Sequence, residues 1–255
     1  MTSQLVLEKV SKHYPTEGET RTVLEGIDLT VEPGEFVTIL GPSGCGKSTL
    51  LRLMIGLDSD YEGTISLGGK PIHGTGLERG IVFQDHRLLP WLTLVENITL
   101  ALINRGWNAS RAKQSVADHI ELVGLRGYEK AYPHELSGGM AQRAAIARAL
   151  VTQPDVLLLD EPLGSLDALT RVRLQNELLK IWRAEKVSMV LVTHDIEEAI
   201  YLSTRIVILQ AAPGRIGTTI DVDLPSPRDR TSYAFADVRR AVTSALNVDA
   251  SADVV

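Results

Sequence analysis

Gly41-Pro42-Ser43-Gly44-Cys45-Gly46-Lys47-Ser48-Thr49 fits the pattern G-x-x-x-x-G-K-[ST], which is typical of phosphate-binding loops. The β-branched, apolar residues 36–40 before it predict a buried strand, and residues 49–55 after it predict a helix. Glycines let successive N–H groups turn toward one anion, and the helix N-terminus adds partial positive charge. We expect Lys47 to reach the terminal phosphates and the Ser48 hydroxyl to bind Mg²⁺. A turn without a ligand would not explain Lys followed by Ser.

Composition predicts a folded protein whose main partner is not nucleic acid. The chain has 255 residues, 44% of them hydrophobic, which is enough for one large α/β domain or two small ones. Its 26 basic and 32 acidic residues leave a net charge of −6, without the basic footprint of a nucleic-acid binder. The single cysteine, Cys45, excludes an internal disulfide. Its thiol is either unusually acidic, as at other helix N-termini, or a small residue filling a tight turn.

No segment of the sequence resembles a membrane anchor or a leader. The first residues show no basic region followed by an apolar run, and no run of eighteen apolar residues occurs. We therefore expect a cytoplasmic protein that does not itself span a membrane.

The segments on either side of the loop predict a small antiparallel sheet before it and a hairpin after it. Residues 5–10 and 23–31 alternate in polarity, and residues 63–72 indicate a hairpin with Gly-Gly at its turn. Tyr14 falls at the first predicted turn, where it is either a core or turn aromatic or an exposed ring that stacks on a base. A short strand over 80–84 then ends on Gln84, either an ordinary strand-end amide or part of a site.

Helical periodicity replaces the strand pattern further along the chain. Helices are expected over 94–103, 110–123 and 137–152, and together they predict a helical subdomain inserted into an α/β core. The core resumes with a buried parallel strand that ends in Asp160 and Glu161. Ligands bind at the carboxyl ends of such strands, so we expect these carboxylates to lie near the phosphate loop rather than merely to open a helix.

The last part of the chain predicts further core elements. A strand over 187–192 leads to His194, and a helix over 196–202, a strand over 205–209, a turn at Pro213-Gly214, a short strand and a terminal helix follow. A lone histidine is usually structural, but His194 falls at the same predicted sheet edge as the loop.

Leu136-Ser137-Gly138-Gly139 opens a predicted helix and is the second decisive motif. A serine N-cap followed by two glycines leaves backbone N–H groups available to an anion. Since one chain has one phosphate loop, we expect this second anion site to serve the nucleotide of another copy.

With these motifs the chain resembles the ABC ATPase family, from about residue 5 to residue 214. The resemblance rests on residues 41–48, Gln84, 136–139, 159–161, 165–167 and His194, in the family's order. Met140 replaces the commoner Gln, and Gly164-Ser165 replaces Ser-Ala; neither change removes a backbone donor or a carboxylate.

The resemblance implies a P-loop ABC-ATPase fold in one domain spanning 1–255. In this division 1–84 and 154–215 form the nucleotide-binding core with its antiparallel β subdomain, 85–153 form the helical subdomain, and 216–255 form a short C-terminal extension. It also implies a head-to-tail homodimer that sandwiches two ATP molecules between phosphate loops and signature helices.

The family's residue roles carry over to the matching positions of this chain. Tyr14 would stack on adenine; Gly41, Pro42, Ser43, Gly44, Cys45, Gly46, Lys47, Ser48 and Thr49 would hold the phosphates; Ser48, Gln84 and Asp160 would organise Mg²⁺. Glu161 would polarise the attacking water and His194 would sense the γ-phosphate. Ser137, Gly138 and Gly139 would bind that phosphate across the dimer, and Asp167 would couple the two sites.

Residues 85–93, with Leu-Leu-Pro-Trp at 88–91, are similar to the importers of taurine, aliphatic sulfonates and nitrate. The resemblance implies an ATPase subunit at the cytoplasmic face of the inner membrane, with permease subunits and, indirectly, a periplasmic or lipid-anchored binding protein. The expected cargo is taurine or another sulfonate; the alternative is an importer of nitrate, nitrite or cyanate. Trp91 is either a docking residue for the permease or a core aromatic.

Three other classes share parts of this pattern. A nucleotide kinase or GTPase has no use for 136–139 or for Glu161 beside Asp160. A non-transport ABC protein would show two cassettes, a coiled-coil insertion or a basic surface, and this sequence has none of these. An exporter ATPase stays open as an alternative.

Overall fold

A computed structural model of the chain describes residues 3–16 and 18–250, which divide into two compact units. The first unit comprises Ser3–Thr75 and the chain from Ser188 onward, and the second comprises Gly76–Val187. These boundaries are not those of the subdomains expected from the sequence, and that division stays a prediction.

The first unit contains a four-stranded antiparallel sheet in the order β2-β1-β4-β5. The strands are β1 (Leu5–Thr16), β2 (Glu19–Val31), β4 (Glu62–Leu67) and β5 (Lys70–Pro71). The predicted hairpin is confirmed: Gly68 and Gly69 join β4 to β5 with φ of 57° and 74°, a conformation that glycine adopts without strain. β1 and β2 are longer than predicted, so Tyr14 lies within β1, opposite Arg21, and not at a turn.

The first unit also contains a four-strand section in the order β10-β9-β3-β8, with β3 parallel to both neighbours. These strands are β3 (Phe36–Leu40), β8 (Ser188–Thr193), β9 (Arg205–Leu209) and β10 (Ile216–Asp221). Every residue of β3 and β8 is buried, which explains why both are apolar runs without alternation. The helices of this unit are α1 (Lys47–Ile55), α6 (Ile196–Leu202) and α7 (Tyr233–Ala250).

The second unit combines two parallel strands, β6 (Arg79–Val82) and β7 (Val156–Asp160), with four helices. The helices are α2 (Leu94–Leu100), α3 (Ala109–Leu122), α4 (Gly138–Leu150) and α5 (Ala168–Glu185), and a 3₁₀ turn spans Pro133–Glu135. α2, α3 and α4 confirm the three predicted helices to within three residues at each end. Four of the eight buried residues of α4 are alanine. The helix also packs closely on β6, since a Cβ built at Gly80 would lie 3.0 Å from the Ala149 carbonyl oxygen.

Helix α5 was not predicted, although the sequence carries a signal for it. Asp167 caps its N-terminus, and 18 residues without Gly or Pro follow. The buried residues Leu174, Leu178 and Ile181 recur at helical spacing.

Within the described residues, no helix combines the length and the apolar character needed to cross a bilayer.

Candidate functional site

In the first unit, the phosphate-loop pattern and His194 follow two neighbouring parallel strands. Leu40, the last residue of β3, pairs with Thr193, the last residue of β8. The loop leaves β3 and enters α1, so the predicted order of strand, loop and helix is confirmed. The helix begins at Lys47, two residues before the predicted start. This sheet edge therefore holds both the loop and His194.

Close packing explains two of the loop glycines. A Cβ at Gly41 would lie 2.3 Å from the Leu209 carbonyl oxygen, and one at Gly46 would lie 2.6 Å from Leu24 Cδ2. Gly46 is also the N-cap of α1 with φ of 99°, a region that side chains rarely adopt. The glycines are thus needed to bring the backbone of the loop against β2 and β9.

The Lys47 ammonium is held inside the loop, because Nζ donates to the carbonyl oxygens of Gly41 and Pro42, each at 2.8 Å. Both acceptors are neutral, so they orient the ammonium without cancelling its charge. Pro42, Ser43, Gly44 and Ser48 are exposed around it, whereas Thr49 is half-buried. The first turn of α1 therefore holds a buried cation next to an exposed hydroxyl.

Cys45 fills space in the turn. Its side chain is buried, and burial raises the pKa of the thiol although Lys47 opposes the shift. The alternative of an unusually acidic thiol is wrong for this reason, and the small-residue interpretation is supported.

The backbone around His194 is fixed by a network that sequence reasoning missed. The Thr193 hydroxyl accepts from the Asp195 N–H at 3.1 Å and donates to the buried Glu198 carboxylate. Asp195 in turn caps α6, accepting from the Glu198 N–H at 3.0 Å. His194 itself is exposed. A signal existed in the sequence, since an Asp N-cap with Glu three residues later is a helix-start pattern.

In the second unit, Gln84 and the two carboxylates also follow neighbouring parallel strands. Val82, the last residue of β6, pairs with Leu159 of β7. β6 ends two residues before Gln84, which is exposed, so the expectation that the strand extends to Gln84 was wrong. Asp160 and Glu161 are half-buried at the end of β7.

Glu161 has φ of 45°, a left-handed conformation that costs a non-glycine residue free energy. Such strain is typical of residues that the fold holds for a task. A Cβ built at Gly164 would lie 3.1 Å from Gln84 Nε2. The glycine that departs from the family pattern therefore leaves room for the Gln84 amide beside the turn that begins at Glu161.

The signature motif opens α4 as predicted. Ser137 is the N-cap, and its hydroxyl accepts from the Met140 N–H at 3.3 Å. Ser137 and Gly138 are exposed, whereas Gly139 is buried, and a Cβ there would lie 2.6 Å from Thr170 Cγ2. A cavity of about 130 Å³ adjoins this helix start, lined by Ser137, Gly139, Met140, Arg143, Thr170, Arg173, Leu174 and Glu177. Arg143 is paired with Glu177 at 3.5 Å and donates to the Val123 carbonyl oxygen at 2.9 Å, so Arg173 and the helix N-terminus are what suit an anionic group here.

Asp167 has a structural role in addition to any functional one. Its carboxylate accepts from the N–H groups of Leu169 and Thr170, each at 3.1 Å, and so caps α5. Hydrogen bonds from Thr170 lower the pKa of this exposed carboxyl group.

Trp91 is 70% exposed, so the core-aromatic alternative is wrong. Its loop is held by the fully buried Asn97, a residue that sequence reasoning missed. Asn97 accepts from the Leu89 N–H at 2.8 Å and donates to the carbonyl oxygens of Leu92 and Thr93 at 2.9 and 3.1 Å. The exposed indole therefore stands on an ordered loop.

Each unit offers oxygen ligands of the types that suit Mg²⁺. These are the Ser48 hydroxyl in the first unit and the Gln84 amide and Asp160 carboxylate in the second. No group of three or more His, Cys, Asp or Glu residues suited to a metal occurs within the described residues.

Parallel strands that end in a phosphate loop and in paired carboxylates define a P-loop nucleoside triphosphatase. The family model described as ABC transporter matches residues 24–164. The chain is 52% identical over 233 residues to the aliphatic sulfonates import ATP-binding protein SsuB of Bacillus subtilis, covering 91% of this chain and 90% of that protein. It is 55% identical over 221 residues to the protein of the same name from Bacillus licheniformis, covering 87% and 86%.

Among solved structures, the ATP-binding cassette MJ0796 bound to ADP and Pi, a dimer in a post-hydrolysis state, is similar with a TM-score of 0.75. That similarity has 32% sequence identity and covers 86% of this chain and 98% of the other. The chain belongs to the ABC transporter family and has the P-loop ABC-ATPase fold. As in that family, it binds and hydrolyses ATP to drive transport.

Proposed function

We propose that this chain is the ATP-hydrolysing subunit of an importer for aliphatic sulfonates. The observation that carries the proposal is the identity of more than half of the aligned residues, over about nine-tenths of the chain, to proteins named for that transport. Neither of those two names mentions nitrate, so nothing favours the nitrate-type alternative.

The experiment uses the subunit co-purified with its permease and binding protein in proteoliposomes. ATP hydrolysis is measured with an alkanesulfonate, taurine or nitrate supplied on the side of the binding protein. We expect the alkanesulfonate to stimulate hydrolysis at least about tenfold over the basal rate, and nitrate to leave it unchanged. Stimulation by nitrate alone would overturn the proposed cargo but leave the ATPase role intact.

In this proposal the phosphate loop, Gly41–Thr49, and Lys47 in particular, bind the ATP phosphates. The ammonium sits in a loop whose glycines leave backbone N–H groups accessible, which supports the assignment. Mg²⁺ would be held by Ser48, Gln84 and Asp160, and when bound it would neutralise charge on the β- and γ-phosphates. Tyr14 would stack on the adenine base.

Glu161 is the proposed general base. Its strained backbone at the end of β7 and its position next to Asp160 support this role, because phosphoryl transfer needs an oriented water and little covalent chemistry. His194 would donate to the γ-phosphate from the loop that Thr193 and Glu198 hold. These roles require that the residues bind and orient the substrate before the water attacks.

We further propose that two copies pair head to tail and that Ser137, Gly138 and Gly139 of one copy bind the γ-phosphate held by its partner. The exposed start of α4, with Arg173 lining the cavity beside it, supports an anion site at this position. Asp167 would couple the two sites through the helix that it caps.

The subunit would act at the cytoplasmic face of the cell membrane, bound to permease subunits that receive cargo from a periplasmic or lipid-anchored binding protein. Trp91 is the proposed docking residue. A large exposed aromatic on an ordered loop loses little conformational entropy on binding, and such residues often dominate interfaces.

Trp91→Ala is expected to weaken binding to the permease about thirtyfold or more, seen as loss of co-purification, while leaving the melting temperature of the isolated subunit within about 1 °C. The reason is that truncating an interface aromatic often costs at least about 2 kcal/mol of binding, whereas an exposed side chain adds little to folding. Tyr233→Ala is the matched control, because Tyr233 is 92% exposed in the other unit. A fall of several degrees in the melting temperature would show that Trp91 is needed for folding instead.

A further inference from the structure

Lys12 is a buried lysine that the proposed chemistry does not use. Its side chain is 3% exposed, and Nζ donates to Asp58 Oδ1 at 3.0 Å, to Asp60 Oδ2 at 3.2 Å and to the Asp60 carbonyl oxygen. A buried ammonium is costly unless it is paired and hydrogen-bonded. A buried ammonium in β1 therefore costs free energy of folding, and its presence needs an explanation.

The ion pair joins two parts of the first unit that bear on nucleotide binding. Lys12 and Tyr14 are two residues apart in β1, and their side chains are in contact. Asp58 lies three residues after the end of α1, the helix that begins with Lys47. The Leu57 N–H also donates to the Arg52 carbonyl oxygen at 2.9 Å, which ties this segment to the helix. Lys12 and Asp58 thus fasten the strand of Tyr14 to the phosphate-loop helix.

The same pair contacts the Tyr14 ring directly. Asp58 binds Lys12 through Oδ1 and accepts from the Tyr14 hydroxyl through Oδ2 at 3.3 Å. Lys12 Nζ lies over the ring, 4.8 Å from its centroid. The hydroxyl and one ring face are therefore both fixed, and the ring remains partly exposed.

The cation also changes what the ring can stack on. A positive charge over one face draws π-electron density toward itself, which makes the opposite face less negative. That face is then a better partner for an electron-rich purine.

Both members of the pair stay charged near neutral pH. Burial alone would raise the pKa of Asp58, but the hydrogen bonds from Lys12 and from the Asp60 N–H outweigh it and lower that pKa. Burial would likewise lower the pKa of Lys12, but Asp58 and Asp60 raise it.

We propose that Lys12 and Asp58 are positioning residues for Tyr14 and set the affinity of the protein for the base of the nucleotide. This inference rests on the proposed stacking role of Tyr14. It distinguishes Asp58 from Asp60, which pairs with the same lysine through a carboxylate that is 91% exposed. The Tyr14 hydroxyl donates to Asp58 and not to Asp60. Asp60 is therefore a matched control for the loss of one charge partner of Lys12.

The test measures dissociation constants of the full chain by isothermal titration calorimetry, for ATP and for inorganic tripolyphosphate, which has no base. Stacking on one base is worth a factor of about 5 to 150, so Tyr14→Ala should weaken ATP binding within that range. Asp58→Asn should weaken ATP binding about five- to tenfold, Tyr14→Phe about two- to threefold, and Asp60→Asn less than twofold. Tripolyphosphate affinity should not change in any of them.

The double variant Asp58→Asn/Tyr14→Ala should bind ATP no more weakly than Tyr14→Ala alone, because Asp58 acts through the ring. If Tyr14→Ala weakens ATP binding but Asp58→Asn does not, or if tripolyphosphate affinity falls in parallel, the positioning role is wrong. If Tyr14→Ala itself binds ATP as the unsubstituted chain does, the proposed stacking role is what fails. If Asp58→Asn does not fold, the Tyr14→Phe variant tests the inference by itself. An ATP affinity of Tyr14→Phe equal to that of the unsubstituted chain would then overturn the positioning role.

Discussion

Glu161→Gln is expected to lower the ATP turnover number about 10²- to 10³-fold, within the range that general-base catalysis contributes. Glutamine keeps the size of the side chain and most of its hydrogen bonding, but it cannot accept a proton from the attacking water at neutral pH. The substitution also leaves the left-handed backbone at this position as strained as before. ATP binding should therefore persist while hydrolysis nearly stops.

Phosphate release at saturating Mg-ATP measures the turnover, and size-exclusion chromatography with ATP measures association. We expect the variant to accumulate as an ATP-bound dimer, since hydrolysis is the step that would separate the copies. Glu121→Gln is the control, because Glu121 is an exposed carboxylate on α3. Turnover within twofold of the unsubstituted protein would reject Glu161 as the base.

Lys47→Ala is expected to raise the dissociation constant for ATP about a hundredfold. A hydrogen bond to a charged group contributes up to about 3 kcal/mol, and about 2.7 kcal/mol corresponds to a factor of roughly 100 in affinity. The ammonium already lies inside the loop, 2.8 Å from two of its carbonyl oxygens, so it needs little reorganisation to bind phosphate.

A titration with a fluorescent ATP analogue measures this effect, and a thermal melt checks that the loop still folds without its internal hydrogen bonds. Lys70→Ala removes an equal charge from the exposed β4–β5 hairpin and should leave affinity unchanged. A dissociation constant within threefold of the unsubstituted value for Lys47→Ala would contradict the phosphate-binding role.

Local patterns were enough to predict most elements of this chain. The loop between β3 and α1, the Ser137 cap of α4 and the run of buried residues in β7 each depend on neighbours within a few positions. The ABC resemblance and its residue roles follow from such local motifs taken in order. The long helix α5 was missed, although its Asp167 cap and its apolar spacing are also local signals that the sequence contains.

Other features could not be predicted from residues that are close together in the sequence. Exposure decided between the two interpretations of Trp91, and burial decided between those of Cys45. The room that Gly164 leaves for Gln84 joins positions 80 residues apart in the chain, and the pair of Lys12 with Asp58 joins positions 46 apart. Such contacts depend on how distant segments pack.

The sequence by itself determined that this chain folds around a phosphate loop and carries the residues of an ABC ATPase. The reason is that helix caps, glycine turns and buried strands are each specified by a few consecutive residues. Only the tertiary structure decided which side chains hold those residues in place. Packing and hydrogen bonds fix the ring of Tyr14, give Lys47 its carbonyl acceptors inside the loop and hold the backbone around His194. No spacing rule in the sequence specifies the partners in these contacts.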